Sequence, residues 1–249
     1  MKLRLNPRQL VLYVVGFALF SLAVCLTSRS NLGISPVTSV AYIFTFFTPL
    51  SLGVTQLIWN LLLFLIQLIW LGRAFPKLQY LQLIASLLLS AFIDLIMPFT
   101  AALDGAHLPL AGRFAVLIAG VLLMGFALSL LLVSRLVLLP GDGFARVFAD
   151  KVGLEFGKGK VLTDSTFVIL TILVSFAALG RLESVGIGTV IAALAVGNVA
   201  RLSHRTIDRG ISAWVFGPAE PFDPKEETPL ELSLDEAAYE STHRHSDNP

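Results

Sequence analysis

Six stretches of the chain are apolar over a length that can cross a bilayer, near residues 9–27, 54–72, 79–97, 114–134, 162–180 and 185–203. A helix needs about 20 mostly apolar residues to span hydrocarbon, so each is read as a membrane span. The first follows Lys2, Arg4 and Arg8, which is also how a signal peptide begins. No small-x-small cleavage site follows it, so it is read as a retained span. Two further stretches are too short to cross. Pro36 to Thr48 is apolar and ends in aromatic residues, and Gly143 to Val152 is amphipathic. Each opens with helix-start chemistry: Ser35 followed by Pro36 at the first helical position, and Asp142 within Pro140-Gly141-Asp142-Gly143.

Composition agrees with this pattern. Hydrophobic residues make up 55% of the 249 and charged residues 14%, with a mean hydropathy of +0.80, whereas soluble domains carry about 25% charged residues. One cysteine, Cys25, excludes a disulfide framework. The net charge of +1 hides a basic membrane part and an acidic tail beyond residue 217. Placing Arg73, Lys77, Arg135, Arg146, Lys151, Lys158, Lys160, Arg201, Arg205 and Arg209 on the cytoplasmic side requires six crossings with both termini inside. The two short helices are then re-entrant or interfacial. The basic residues are spread through loops, which argues for topology and against nucleic-acid binding. Ile211 to Phe216 is expected at the interface with Trp214 as an anchor, and from Pro218 onward the composition is too polar for a core. A short acidic helix is expected at Leu230 to Tyr239.

Internal similarity divides the membrane part. Gly16-Phe17-Ala18-Leu19 recurs as Gly125-Phe126-Ala127-Leu128, Ser28-Arg29 as Ser134-Arg135, and the turn at Gly33 as the turn at Gly141. Leu52-Gly53…Asn60 recurs as Phe156-Gly157…Asp164, and Leu71-Gly72-Arg73 as Leu179-Gly180-Arg181. Each half then holds three crossings and one short helix. Three is odd, so the second half enters from the opposite side, the inverted plan of many secondary transporters. The expected architecture is an all-α polytopic membrane protein with a 3+3 inverted repeat. Its parts are residues 1–110, residues 111–209, and an interfacial segment with a tail at 210–249.

Candidate chemistry follows from the repeat. Arg29 and Arg135, each before a turn and a short helix, would suit an anionic group together with the two helix N-termini. The alternative is that they are ordinary flanking charges. Gly33 and Gly141 supply the turns, and Asp142 either caps its helix or exchanges a proton with substrate. Ser35, Ser39 and Tyr42 share one face of the first short helix, where they can touch substrate or satisfy backbone. Asp164, matched to Asn60, is a carboxylate near the start of a span and a candidate for coupling to a proton or cation. Asp94 and Arg201, near span ends, are read as snorkelling to the interface. No hydrolytic set, phosphate loop or metal-ligand spacing is present in the sequence, so neither an enzyme nor a cofactor is expected. His243, His245 and Asp247 are too weak a set for a metal site.

The run Leu32-Gly33-Ile34-Ser35-Pro36 with Thr38-Ser39 resembles the YczE/YyaS/YitT-like bacterial integral membrane proteins, over about residues 10–205. Leu139-Pro140-Gly141-Asp142-Gly143 and Val185-Gly186-Ile187-Gly188-Thr189, the latter run ending near Gly197, belong to the same resemblance. It implies a multi-pass protein of the bacterial plasma membrane, for which transport is the usual inference, and it carries no substrate or catalytic residues with it. The expected function is a small secondary transporter of a polar or anionic solute. The alternative is an accessory or sensor protein whose acidic tail docks a cytoplasmic partner. Expected partners are the lipid bilayer and a small-molecule substrate, with a homodimer left open.

Overall fold

The computed structural model describes residues 6–137 and 139–216. The described residues are helical, with no strand. Eight α-helices follow in order: α1 (Pro7–Arg29), α2 (Pro36–Phe44), α3 (Leu52–Leu71), α4 (Leu81–Ile96), α5 (Leu110–Val133), α6 (Pro140–Val152), α7 (Phe156–Leu179) and α8 (Ile187–Phe216). Lys2 and Arg4, the tail from 218 and the acidic helix expected at 230–239 lie outside the described residues.

Helix ends follow local chemistry. The Asn6 side chain accepts the Arg8 N–H at 3.1 Å ahead of Pro7, and Ser51 Oγ accepts the Val54 N–H at 3.2 Å. Gly153 and Gly180 end α6 and α7 in the left-handed conformation, each with φ of 68°. At about 1.5 Å per residue, α2 and α6 are only about 14 and 20 Å long, so neither spans. Six helical segments are long and apolar enough to cross a membrane.

Alongside an apolar core, burial differs from that of a soluble protein in two respects. Gln56, Asn60, Gln67, Gln79 and Gln82 are buried, while Ile69, Leu194, Val161 and Phe99 are among the exposed residues. With lipid outside, apolar side chains gain nothing by burial, whereas polar groups must find partners inside. The main core gathers Phe17, Ile34, Leu89, Ile93, Met124 and Leu131 from α1, the turn after it, α4 and α5.

α1 and α5 pack along each other, α4 lies against α1, and α8 lies against α5. The two short helices sit between α3 and α7, each touching both. α3 also packs on α4, whereas α7 and α8 make only sparse contact. One end of the bundle ties Asn6 and Arg8 to the Val215 and Trp214 carbonyls at 2.6 and 2.9 Å, and Gln9 to the Ser134 carbonyl at 2.7 Å. The other end ties Arg29 to Asp104 at 3.1 Å, and Gly188 N–H to the Leu32 carbonyl at 2.7 Å.

Two elements differ from the sequence pattern. α7 starts at Phe156, six residues before the apolar run, because Gly157-Lys158-Gly159-Lys160 hides the helical period. A Cβ on Gly159 would overlap that of Ala149, so this glycine lets α6 close on α7. α8 continues without a break through Ile211 to Phe216, beyond the end of the apolar run near residue 203. Val215 is buried beside Leu12, Leu130 and Val133, and the Arg8 guanidinium lies 5.7 Å from the Trp214 ring centre.

Candidate functional site

The first turns of α2 and α6 meet inside the bundle. A Cβ on Gly141 would stand 2.8 Å from Val37 Cγ1. From there α2 runs toward the Arg29 end and α6 toward the Asn6 end. Val40, Leu63 and Phe167, with Val37, Trp59 and Phe144 against them, fill the space between the short helices, α3 and α7.

Polar groups surround this junction. Ser39 Oγ donates to the Pro36 carbonyl at 2.7 Å and shares a 2.9 Å hydrogen bond with Thr171 Oγ1. Ser35 occupies the cap position of α2, but its hydroxyl donates to Thr38 Oγ1 at 3.0 Å rather than capping the backbone. On the α6 side, Gln67 Nε2 donates to the Pro140 carbonyl at 3.0 Å and to Gln82 Oε1 at 3.3 Å. Gln82 in turn donates to Gln79. A Cβ on Gly143 would lie 2.7 Å from Gln67 Oε1, so the glycine admits this amide cluster to the helix start. On α3, Gln56 Nε2 donates to Asn60 Oδ1 at 3.1 Å, leaving Gln56 Oε1 and Asn60 Nδ2 buried without partners. Unpaired buried amides each cost about 1–3 kcal/mol, so this turn of α3 carries an uncompensated polar cost.

Asp142 and Asp164 come together through Lys160, whose Nζ lies 3.2 Å from Asp142 Oδ1 and 2.9 Å from Asp164 Oδ1. Asp142 is not a cap, because α6 begins at Pro140 and Leu139 holds the cap position. Its carboxylate sits in the first turn, where the helix dipole favours it. The lysine was legible only as a flanking charge, although its i, i+4 spacing to Asp164 is in the sequence. Asn60 bonds to Gln56 and does not join this group.

Arg29 and Arg135 are not brought together. Arg29 ends α1 and bonds to Asp104 Oδ2 and the Met97 carbonyl, both at 3.1 Å. Arg135 adjoins Ser134, whose carbonyl receives Gln9 near the start of α1. The length of α1, roughly 30 Å at 1.5 Å per residue, separates them. Backbone geometry pairs Arg135 with Asn31 instead: both have positive φ, 52° and 51°. Each follows a serine whose Oγ bonds back three residues and accepts the N–H two residues on. In this register Gly141 corresponds to Val37, its contact partner, and Gly33 corresponds to Val137.

Gly33 lies at the Arg29 end with φ of 109°, and a Cβ there would stand 2.6 Å from the Gly186 nitrogen. Tyr42 donates to the Ser28 carbonyl at 3.4 Å. Burial, with Asp104 and Glu183 adding to it, pushes the Tyr42 phenol up to about 12, so it stays protonated. Asp94 is not simply snorkelling: its carboxylate accepts the Gly53 N–H at 2.9 Å and the Ser51 hydroxyl at 2.7 Å, clasping α3 to α4. Among the described residues no cluster of His, Cys, Asp and Glu could hold a metal ion.

Six membrane-length helices around a buried polar layer define a multi-pass α-helical membrane protein. The chain belongs to DUF6198, a family of unknown function, whose profile matches residues 7–205. Neither the curated proteins nor the solved structures contain a match.

Proposed function

We propose that the chain is a small secondary transporter that moves a polar solute past the junction of α2 and α6. One observation carries this reading: two short helices from opposite ends of the bundle meet N-terminus to N-terminus, with the Gln67 amide of α3 bonded to the Pro140 carbonyl at that meeting point. Non-spanning backbone at depth is tolerated where it is buried in protein or lines a cavity, and transporters use such interrupted elements at their sites. The shared Ser-turn geometry at residues 30–32 and 134–136, and the way each short helix touches both α3 and α7, support an inverted duplication. The resemblance to the YczE/YyaS/YitT-like proteins points the same way. The Asp142–Lys160–Asp164 group is the proposed coupling device, a cation held by two carboxylates that can exchange a proton or ion. The separated arginines do not support the anion site expected of them, so the solute is described as polar only.

In this reading both termini face the cytoplasm, as the Lys/Arg distribution favours, and the membrane is the bacterial plasma membrane that the resemblance implies. The test needs no known substrate. With Cys25→Ser as background, a Val37→Cys variant reconstituted in liposomes is treated with a membrane-impermeant maleimide from one side at a time. Alternating access expects labelling from each side. Labelling from one side only, or from neither, overturns transport.

A further inference from the structure

A cavity of about 280 Å³ opens at the Arg29 end, away from the α2–α6 junction. Its walls come from the turn after α1 (Asn31, Gly33), from α2 and the turn that follows it (Tyr42, Phe46) and from the turn before α8 (Glu183, Ser184). Ser184 is only 7% exposed, and its hydroxyl has no hydrogen-bond partner. It is also held at φ of 67°, a conformation that non-glycine residues adopt at a cost. A buried, unpaired hydroxyl in a cavity wall is a group waiting for a ligand.

The sign of that ligand follows from what remains unengaged. Helix α8 starts at this cavity, and three backbone donors there are engaged: Gly188 N–H on the Leu32 carbonyl at 2.7 Å, Thr189 N–H on the Gly186 carbonyl at 3.0 Å and, just ahead of the helix, Gly186 N–H on Thr189 Oγ1 at 3.3 Å. The helix start is therefore a poor anion receptor here. Glu183 is the one formally charged residue in the wall. Its pair with Arg181 at 3.0 Å is to a side chain that is 70% exposed, where such pairs are weak. Tyr42 and Phe46 add two aromatic rings with centres 5.0 Å apart, and aromatic faces attract ammonium groups. We infer that this cavity binds a small organic ammonium ion, with Glu183 as the counter-charge, Tyr42 and Phe46 as the aromatic wall and Ser184 as a hydrogen-bonding partner.

The proposal goes beyond the transport reading, and its test involves no flux. Full-length protein in detergent is titrated calorimetrically with tetramethylammonium, choline and ethanolamine, and with 3,3-dimethylbutanol, the uncharged shape-mate of choline. At least one ammonium probe is expected to bind about tenfold more tightly than the alcohol, and Glu183→Gln is expected to remove that preference. Ser184→Gly relieves the backbone while deleting the hydroxyl, so it is expected to melt no lower than wild type. For a probe carrying N–H or O–H donors it should bind about threefold more weakly. The proposal is overturned if no ammonium probe outperforms the alcohol, or if acetate binds in preference to all three. It is equally overturned if the preference persists in folded Glu183→Gln. Should Glu183→Gln not fold, the ammonium-to-alcohol ratio on wild type decides alone. Failure here leaves the Val37 labelling test of transport unaffected.

Discussion

In the first half, α3 and α4 are clasped at one end: Asp94 receives both Ser51 and Gly53, and the Ser90 hydroxyl donates to the Gly53 carbonyl at 2.7 Å. In the second half, α7 and α8 touch only sparsely, and α7 is tied instead to the short helix α6, through Gly159 and Lys160. The turns contrast in the same way. Gly33 needs its left-handed backbone and presses on Gly186, whereas Gly141 is helical and meets only the Val37 side chain. Similar segments thus share local conformation while their tertiary roles diverge.

That contrast breaks most readily at the turns. Gly33→Val places a β-branched side chain at φ of 109° against backbone, and should cost roughly 3 kcal/mol or more, or prevent folding. Gly141→Ala should cost under about 1.5 kcal/mol, because Val37 can yield. Melting measured by fluorescence-detected size exclusion separates them, and equal losses would erase the distinction. Lys160→Met comes next. It leaves two carboxylates facing each other without their cation and should cost about 1–3 kcal/mol at this partly exposed site. Pairing it with Asp164→Asn should recover part of that loss, and no recovery would show that the three groups do not act together.

The matched glycines Gly53 and Gly157 sharpen the comparison further. A Cβ on Gly53 would overlap the Ser90 carbonyl and come within 2.5 Å of Asp94, while one on Gly157 meets nothing within 4 Å. Gly53→Ala should lower stability by about 1–3 kcal/mol, and Gly157→Ala should raise it by about 0.5–1 kcal/mol. Opposite signs in thermal melts are the expected outcome. Arg29→Gln should have a smaller effect, about 0.5–1 kcal/mol, since the Arg29–Asp104 pair is part-exposed. Removing residues 218–249 should leave the melting temperature and Val37→Cys labelling unchanged, and a loss of labelling would favour a docking role for the tail.

Much of this was legible in the chain. Apolar runs of bilayer length, a serine ahead of a proline, an aspartate in a Pro-Gly turn, and basic loops are each local signals, and they mark six long helices and two short ones. Asp164 stood out because a carboxylate near the start of an apolar span is costly, and Asp142 because it opens a short helix. The partners of those groups did not stand out. Lys160 looked like a loop charge because two glycines interrupt the periodicity around it, and the amides Gln67, Gln79 and Gln82 were hidden among apolar neighbours. The pairing of Arg29 with Arg135 rested on residue identity, and backbone conformation, which identity does not encode, places Asn31 opposite Arg135 instead.

The sequence by itself determined that this protein lies in a membrane, how many times it can cross, and where two helices stop short, because hydrophobic length and helix capping depend on neighbours along the chain. Only the tertiary structure decided that the α2 and α6 starts meet, that Lys160 joins two aspartates from different helices, and that Glu183, Ser184, Tyr42 and Phe46 enclose one cavity. Those are contacts between residues up to 140 or so apart, set by which glycines let helices approach and by which buried polar groups find each other. In lipid that choice rests on close packing and hydrogen bonding rather than on hydrophobic burial, and a pattern of apolar positions carries no record of it.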